Sequence, residues 1–180
     1  MTFILTFVLL LSHAPSDGQT DHRWHSATYR GLTVGKSRRT DMLRVLGKPK
    51  WSRTSPGESD AEEHRELWNN YDHVGEFPGI TNVVVDRRRG IITKIEFYPA
   101  RLSKEEAIAH FGRGYIITRY DFDRCVGDEE SEPIYESANG PLVSIEYRSR
   151  GIAISVGNKD LVTKISYVNG PIGSVSPKCK

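Results

Sequence analysis

Cysteine is scarce in this 180-residue chain, which has only Cys125 and Cys179. No C-x-x-C spacing occurs, and that argues against a structural zinc site or a thioredoxin-like centre. A G-x-S-x-G elbow, an H-E-x-x-H helix and a phosphate-binding glycine loop are also missing, so three common routes to hydrolytic or nucleotide chemistry have no carrier. Charge of one sign is weak as well. The formal balance is +2, too little to argue for nucleic acid or an anionic membrane as partner. Long apolar runs are absent too: Phe3–Leu11 is the one strongly apolar stretch, far short of the roughly 20 residues of a spanning helix. No transmembrane segment is therefore expected. Asp60, Glu62 and Glu63 fit no calcium-loop spacing, and His22 and His25 lie in a polar tract where ordering costs entropy. No metal or cofactor is expected.

At the N-terminus, Phe3–Leu11 reads as the core of a secretory signal peptide, with Ser16 and Gly18 as the small residues before a cut at Gln19. Residues 1–18 are then a signal peptide and 19–28 a flexible leader. The protein is expected outside the cytoplasm, periplasmic or secreted. No cysteine follows the cut, so no lipid anchor is expected there. In an exported chain an even cysteine count points to a Cys125–Cys179 bridge; two free thiols are the alternative.

What the sequence does have is period-two patterning. Ile80–Tyr98 alternates apolar and polar residues about the polar turn Asp86–Gly90 and reads as a hairpin. A second hairpin, Ile152–Val168, echoes it: Ile92-Thr93-Lys94-Ile95 returns as Val162-Thr163-Lys164-Ile165. A helix is expected before each. Ser37–Leu46 has Ser37 as N-cap and ends at Gly47. Leu102–Gly112 opens with a Ser103/Glu106 capping box. Glu66–Asp72, Tyr115–Tyr120, Pro133–Ser137 and Leu142–Arg148 read as further strands, and Thr54–Glu63 as a loop. The fold expected is α+β: a tandem helix-plus-antiparallel-sheet repeat, units 29–98 and 99–168 side by side, with the helices on one face of a shared or adjoining sheet and a tail at 169–180. Thr93, Ile95 and Phe97, with Thr163, Ile165 and Tyr167, are assigned to the helix-covered face.

Gly35, Ser37, Leu46, Gly47 and Pro49, followed by Trp68 and Tyr71, resemble the pattern of the SmpA/OmlA (BamE-like) family of small envelope proteins. The doubled arrangement is similar to the β-lactamase inhibitor protein family. The resemblance implies helix-plus-sheet units and a role in binding or assembly in the envelope.

Two surfaces stand out as candidate sites. On the strand face away from the helices lie Lys94, Glu96, Tyr98, Lys164 and Ser166, mixing charge with an aromatic in a way that suits protein recognition. At the hairpin turn, Arg87, Arg88 and Arg89 could catch an acidic partner or merely solvate the turn. The function expected is an exported, non-enzymatic protein-binding or envelope-assembly module. The alternative is an envelope structural protein that stabilises a membrane-bound complex through the basic turn. An enzyme built from scattered carboxylates ranks third.

Overall fold

Alternating β-branched, aromatic and polar residues favour pleated strands with one buried face, and strands dominate the described residues. A computed structural model describes residues 25–55, 65–74, 76–120, 136–137, 140–170 and 172. The elements are β1 (Thr28–Tyr29), β2 (Leu32–Thr33), α1 (Arg39–Leu46), β3 (Trp51–Thr54), β4 (Glu66–Asp72), β5 (Gly79–Asp86), β6 (Ile91–Pro99), α2 (Lys104–Phe111), β7 (Ile116–Tyr120), β8 (Glu136–Ser137), β9 (Gly140–Tyr147), β10 (Ile152–Val156) and β11 (Val162–Val168). The signal peptide, most of the leader, most of the 169–180 tail, and Cys125 and Cys179 lie outside the described residues. Of the leader, residues 25–28 are in view: Ala27 is buried and Thr28 pairs with Thr33. No helix among the described residues is long and apolar enough to cross a membrane.

The tandem helix-plus-sheet expectation is corrected by the sheet itself. The strand order is β3-β4-β5-β6-β11-β10-β9-β7, with β8 pairing onto β9, and every pairing is antiparallel. At its middle β6 bonds to β11, setting Ile95 opposite Tyr167 and Phe97 opposite Ile165. The two echoing hairpins therefore merge into one antiparallel sheet, and the two helices are only eight residues each. The physical reason is edge satisfaction: β6 and β11 would each expose a row of unpaired N–H and C=O groups if their hairpins stood apart.

A second correction concerns the threonines. β6 and β11 each carry one extra residue opposite the neighbouring strand. The register shifts between Val84 and Val85 on one side and between Ser155 and Val156 on the other. Thr93 and Thr163 are those extra residues. Their hydroxyls donate to Val84 O (3.3 Å) and Ser155 O (3.2 Å). The bulge turns Ile92 and Val162 into the core, so strict alternation fails at the threonines.

Both helices lie on one sheet face. Met42 from α1, Ala107 and Phe111 from α2, Tyr29 and Leu32 from the β1–β2 ribbon, and Val34 just after it share one core with Val83, Ile95, Phe97, Ile145, Ile154, Ile165 and Tyr167. Tyr29, Phe97, Tyr167, Phe111 and Tyr147 form a chain of edge-on and tilted ring contacts, a geometry the ring quadrupoles favour. Each helix stops at a glycine of positive φ, Gly47 (78°) and Gly112 (81°). Their freed carbonyls accept from Tyr71 (3.2 Å) and Tyr147 (2.9 Å) on the sheet, which satisfies a helix end and docks it in one contact. The N-caps differ. Ser103 Oγ accepts from the Glu106 N–H, and the Glu106 carboxylate accepts from the Ser103 N–H (2.8 Å), as expected. The first helix starts one residue later than expected, with Arg38 at the N-cap. Ser37 Oγ accepts instead from the Thr33 N–H (2.9 Å).

Candidate functional site

The side chains on the face away from the helices follow from the pairings. One cross-strand row reads Trp51, Asn70, Asn82, Glu96, Ser166, Ala153, Glu146 and Ile116. The next row reads Arg53, Trp68, Val84, Lys94 and Val168. The core that the helices and the β1–β2 ribbon fill lies on the opposite face, with Val83, Val85, Ile95 and Phe97.

Glu96 is the centre of the face. It is only 4% exposed although it is a carboxylate, and a buried charge is tolerated only when paired and hydrogen-bonded. Its Oε2 accepts from the Tyr98 hydroxyl at 2.8 Å. Its Oε1 lies 3.6 Å from Lys94 Nζ and 3.9 Å from Lys164 Nζ. Burial, and then the Glu96 carboxylate, push the Tyr98 phenol well above its ordinary pKa. Tyr98 therefore stays a donor at any ordinary pH. Asn70 Nδ2 donates to Asn82 Oδ1 at 2.8 Å beside it. Lys94 Nζ sits 5.4 Å from the Trp68 ring centre, a cation–π contact. The Trp68 indole N–H is buried without a hydrogen-bond partner. Farther along the row, fully buried Glu146 accepts from Arg148 Nε at 3.0 Å.

The structure brings Lys94, Glu96, Tyr98 and Lys164 into one contact network and sets Ser166 opposite Glu96. Arg87, Arg88 and Arg89 stand apart, exposed at the β5–β6 turn. Trp68, Asn70 and Asn82 belong to the face but were missed by the sequence reading. The signal for them was alternation within β4 and β5, which puts Trp68 and Asn70 on one side and Tyr71 on the other.

Glu96 is engaged on both oxygens, which leaves it poorly placed as a general base. Among the described residues, no three His, Cys, Asp or Glu side chains gather closely enough to hold a metal ion. A cleft of about 150 Å³ lies elsewhere, lined by His25, Thr28, Arg150 and Ile152 among others. That is small beside the roughly 300 Å³ at which small-molecule sites begin.

No family model matches the chain, and no curated protein matches it. Among solved structures it is similar to a crystal structure of a DUF4309 family protein, YjgB, from Bacillus subtilis subsp. subtilis str. 168. The identity is 13% and the TM-score 0.44, over 78% of this chain and 84% of that one.

Proposed function

We propose that this chain is a protein-binding module whose recognition surface is the polar sheet face centred on Glu96. One observation carries the reading: a buried carboxylate shared by two lysines and a tyrosine, on the sheet face that the helices leave uncovered. Such a network fixes the positions of Lys94, Lys164 and Tyr98 before any partner arrives, and pre-ordering lowers the entropy cost of binding. Tyr is enriched at interface hot spots, and flanking charge sets partner choice. The module is read as non-catalytic. The apolar stretch Phe3–Leu11 and the envelope-family pattern at 34–49 support a site of action outside the cytoplasm.

The test is capture from an envelope extract by the immobilised protein, the parent compared with Tyr98→Ala and Lys164→Ala. A discrete protein held by the parent and lost at least tenfold by both variants, each still cooperatively folded, is the expected result. Equal capture by all three proteins would remove the sheet face as the site.

A further inference from the structure

A second surface is assembled at the opposite side of the β5–β6 hairpin from Pro99, where three separate stretches of chain converge. Arg38 bridges to Ile91, and the Arg39 N–H donates to Gly90 O at 2.9 Å. The Arg87 N–H donates to Arg65 O at 2.8 Å. With Arg88 and Arg89 in the turn, six exposed arginines meet at one tip. The whole chain carries only +2, so positive charge is concentrated here.

The turn that displays these arginines is held from beneath. Asp86, buried, accepts from the backbone N–H groups of Arg88 (2.9 Å) and Arg89 (3.0 Å), and its carboxylate lies 3.9 Å from Arg65 Nε. Those N–H contacts, led by Arg89, hold the Asp86 carboxyl below its ordinary pKa, so the brace stays charged at neutral pH. Because it holds Arg88 and Arg89 through their backbone N–H groups, the guanidinium groups of those two residues are not drawn into the brace. Arg38, Arg39, Arg88 and Arg89 have no carboxylate within salt-bridge distance among the described residues.

We propose that this arginine tip is a docking site for an acidic segment of a partner protein. The guanidinium fork matches a carboxylate in two-point fashion, which makes arginine the residue suited to such capture. Peripheral membrane binding combines basic charge with apolar groups that insert, and among the described residues no such group stands at the tip. The exposed large apolar residues among those described are Val45, Trp51, Ile80, Ile116, Ile117 and Leu161. Duplex nucleic acid calls for a basic stripe or an inserted element, and a single compact tip supplies neither. The surface is distinct from the Glu96 face and does not depend on the reading of that face.

The probe is a fluorescein-labelled peptide of alternating glutamate and glycine, followed by anisotropy against the full chain. Binding that weakens as salt rises from about 50 to 300 mM is expected. The variant Arg38→Gln/Arg88→Gln/Arg89→Gln should bind roughly tenfold more weakly, since three exposed ion pairs are removed. Its melting temperature should hold, because the turn is braced through backbone N–H groups. Lys94→Ala/Lys164→Ala should bind within about twofold of the parent. Should the triple variant not fold, Arg89→Gln alone and Arg38→Gln alone replace it, each expected to weaken binding about twofold. Peptide binding unchanged in the arginine variants, or a larger loss from the lysine pair, overturns the proposal. So does tighter binding to a duplex DNA of matched charge or to phosphatidylglycerol vesicles, which would make the tip a phosphate site.

Discussion

Strand β6 has two faces, and both bury side chains by different means. Toward the helices, Ile92, Ile95 and Phe97 are covered by aliphatic and aromatic packing. Toward the other side, Glu96 is almost as buried, at 4% exposure against 0% for Ile95. Its cover is Tyr98, Lys94 and Lys164. On the first face burial depends on volume and shape. On the second it depends on every polar group keeping its partner, because an unpaired one carries the full desolvation penalty. The first face therefore bears stability, and the second can exchange partners only as a set.

Three substitutions probe that contrast. Phe97→Ala opens a cavity among Tyr29, Ile95 and Tyr167 and should destabilise by about 3–5 kcal/mol, read as a shift of the denaturant midpoint. A loss below about 1 kcal/mol would show that the covered face is not close-packed. Glu96→Ala should cost less, about 1–2 kcal/mol, by leaving two lysines and the Tyr98 hydroxyl without their shared acceptor. Lys164→Ala, which leaves Glu96 with two partners, should cost under about 1 kcal/mol. If the two polar-face variants cost the same, the shared-network account fails.

The smallest effect is one of pH, and it too belongs to the polar side. Asp86 has its folded pKa held below the ordinary 3.8, chiefly by the Arg89 N–H. A depressed carboxylate pKa stabilises the fold fully above the unfolded value, and that contribution disappears as pH falls through the lower folded value. Asp86→Asn should therefore be less stable than the parent at neutral pH, and the gap should shrink as pH falls below the ordinary carboxylate value and through the lower folded one. The deficit of Phe97→Ala should not respond to pH in that way. Urea titrations at neutral and acid pH measure both, and a gap for Asp86→Asn that stays constant would deny the brace its charge.

Local chemistry was readable where it acts locally. The Ser103/Glu106 box, the glycine stops at Gly47 and Gly112, and strand Glu66–Asp72 all follow from neighbouring residues and appear as expected. Lys94, Glu96, Tyr98 and Lys164 were readable as one face because the echo aligned two strands. Asn82 was not, for a specific reason. Counting back from the turn, where Asp86 faces Ile91, pairs Asn82 with Ile95; the bulge at Thr93 moves it opposite Glu96 instead. Strand β3 escaped notice because Trp51–Thr54 is short and mostly exposed, so burial leaves no alternation to read. The architecture itself was misjudged because the adjacency of β6 and β11 is a hydrogen-bonding fact between distant segments, and nothing in either hairpin's own pattern states it.

The central position of β11 also sets a schedule for synthesis. It is the last strand of the chain among the described residues, yet it occupies the middle of the sheet, against β6. A ribosome delivers β3 to β6 long before their neighbour exists, so nascent chains carry β6 as an open edge for the time it takes to translate about 70 further residues. Closure then requires a contact between segments far apart in sequence, which slows folding relative to a sheet built from successive hairpins. Any shortening that removes Val162–Val168 leaves the nascent-chain edge permanently exposed and invites strand-to-strand aggregation. The final strand is thus the step that commits the sheet.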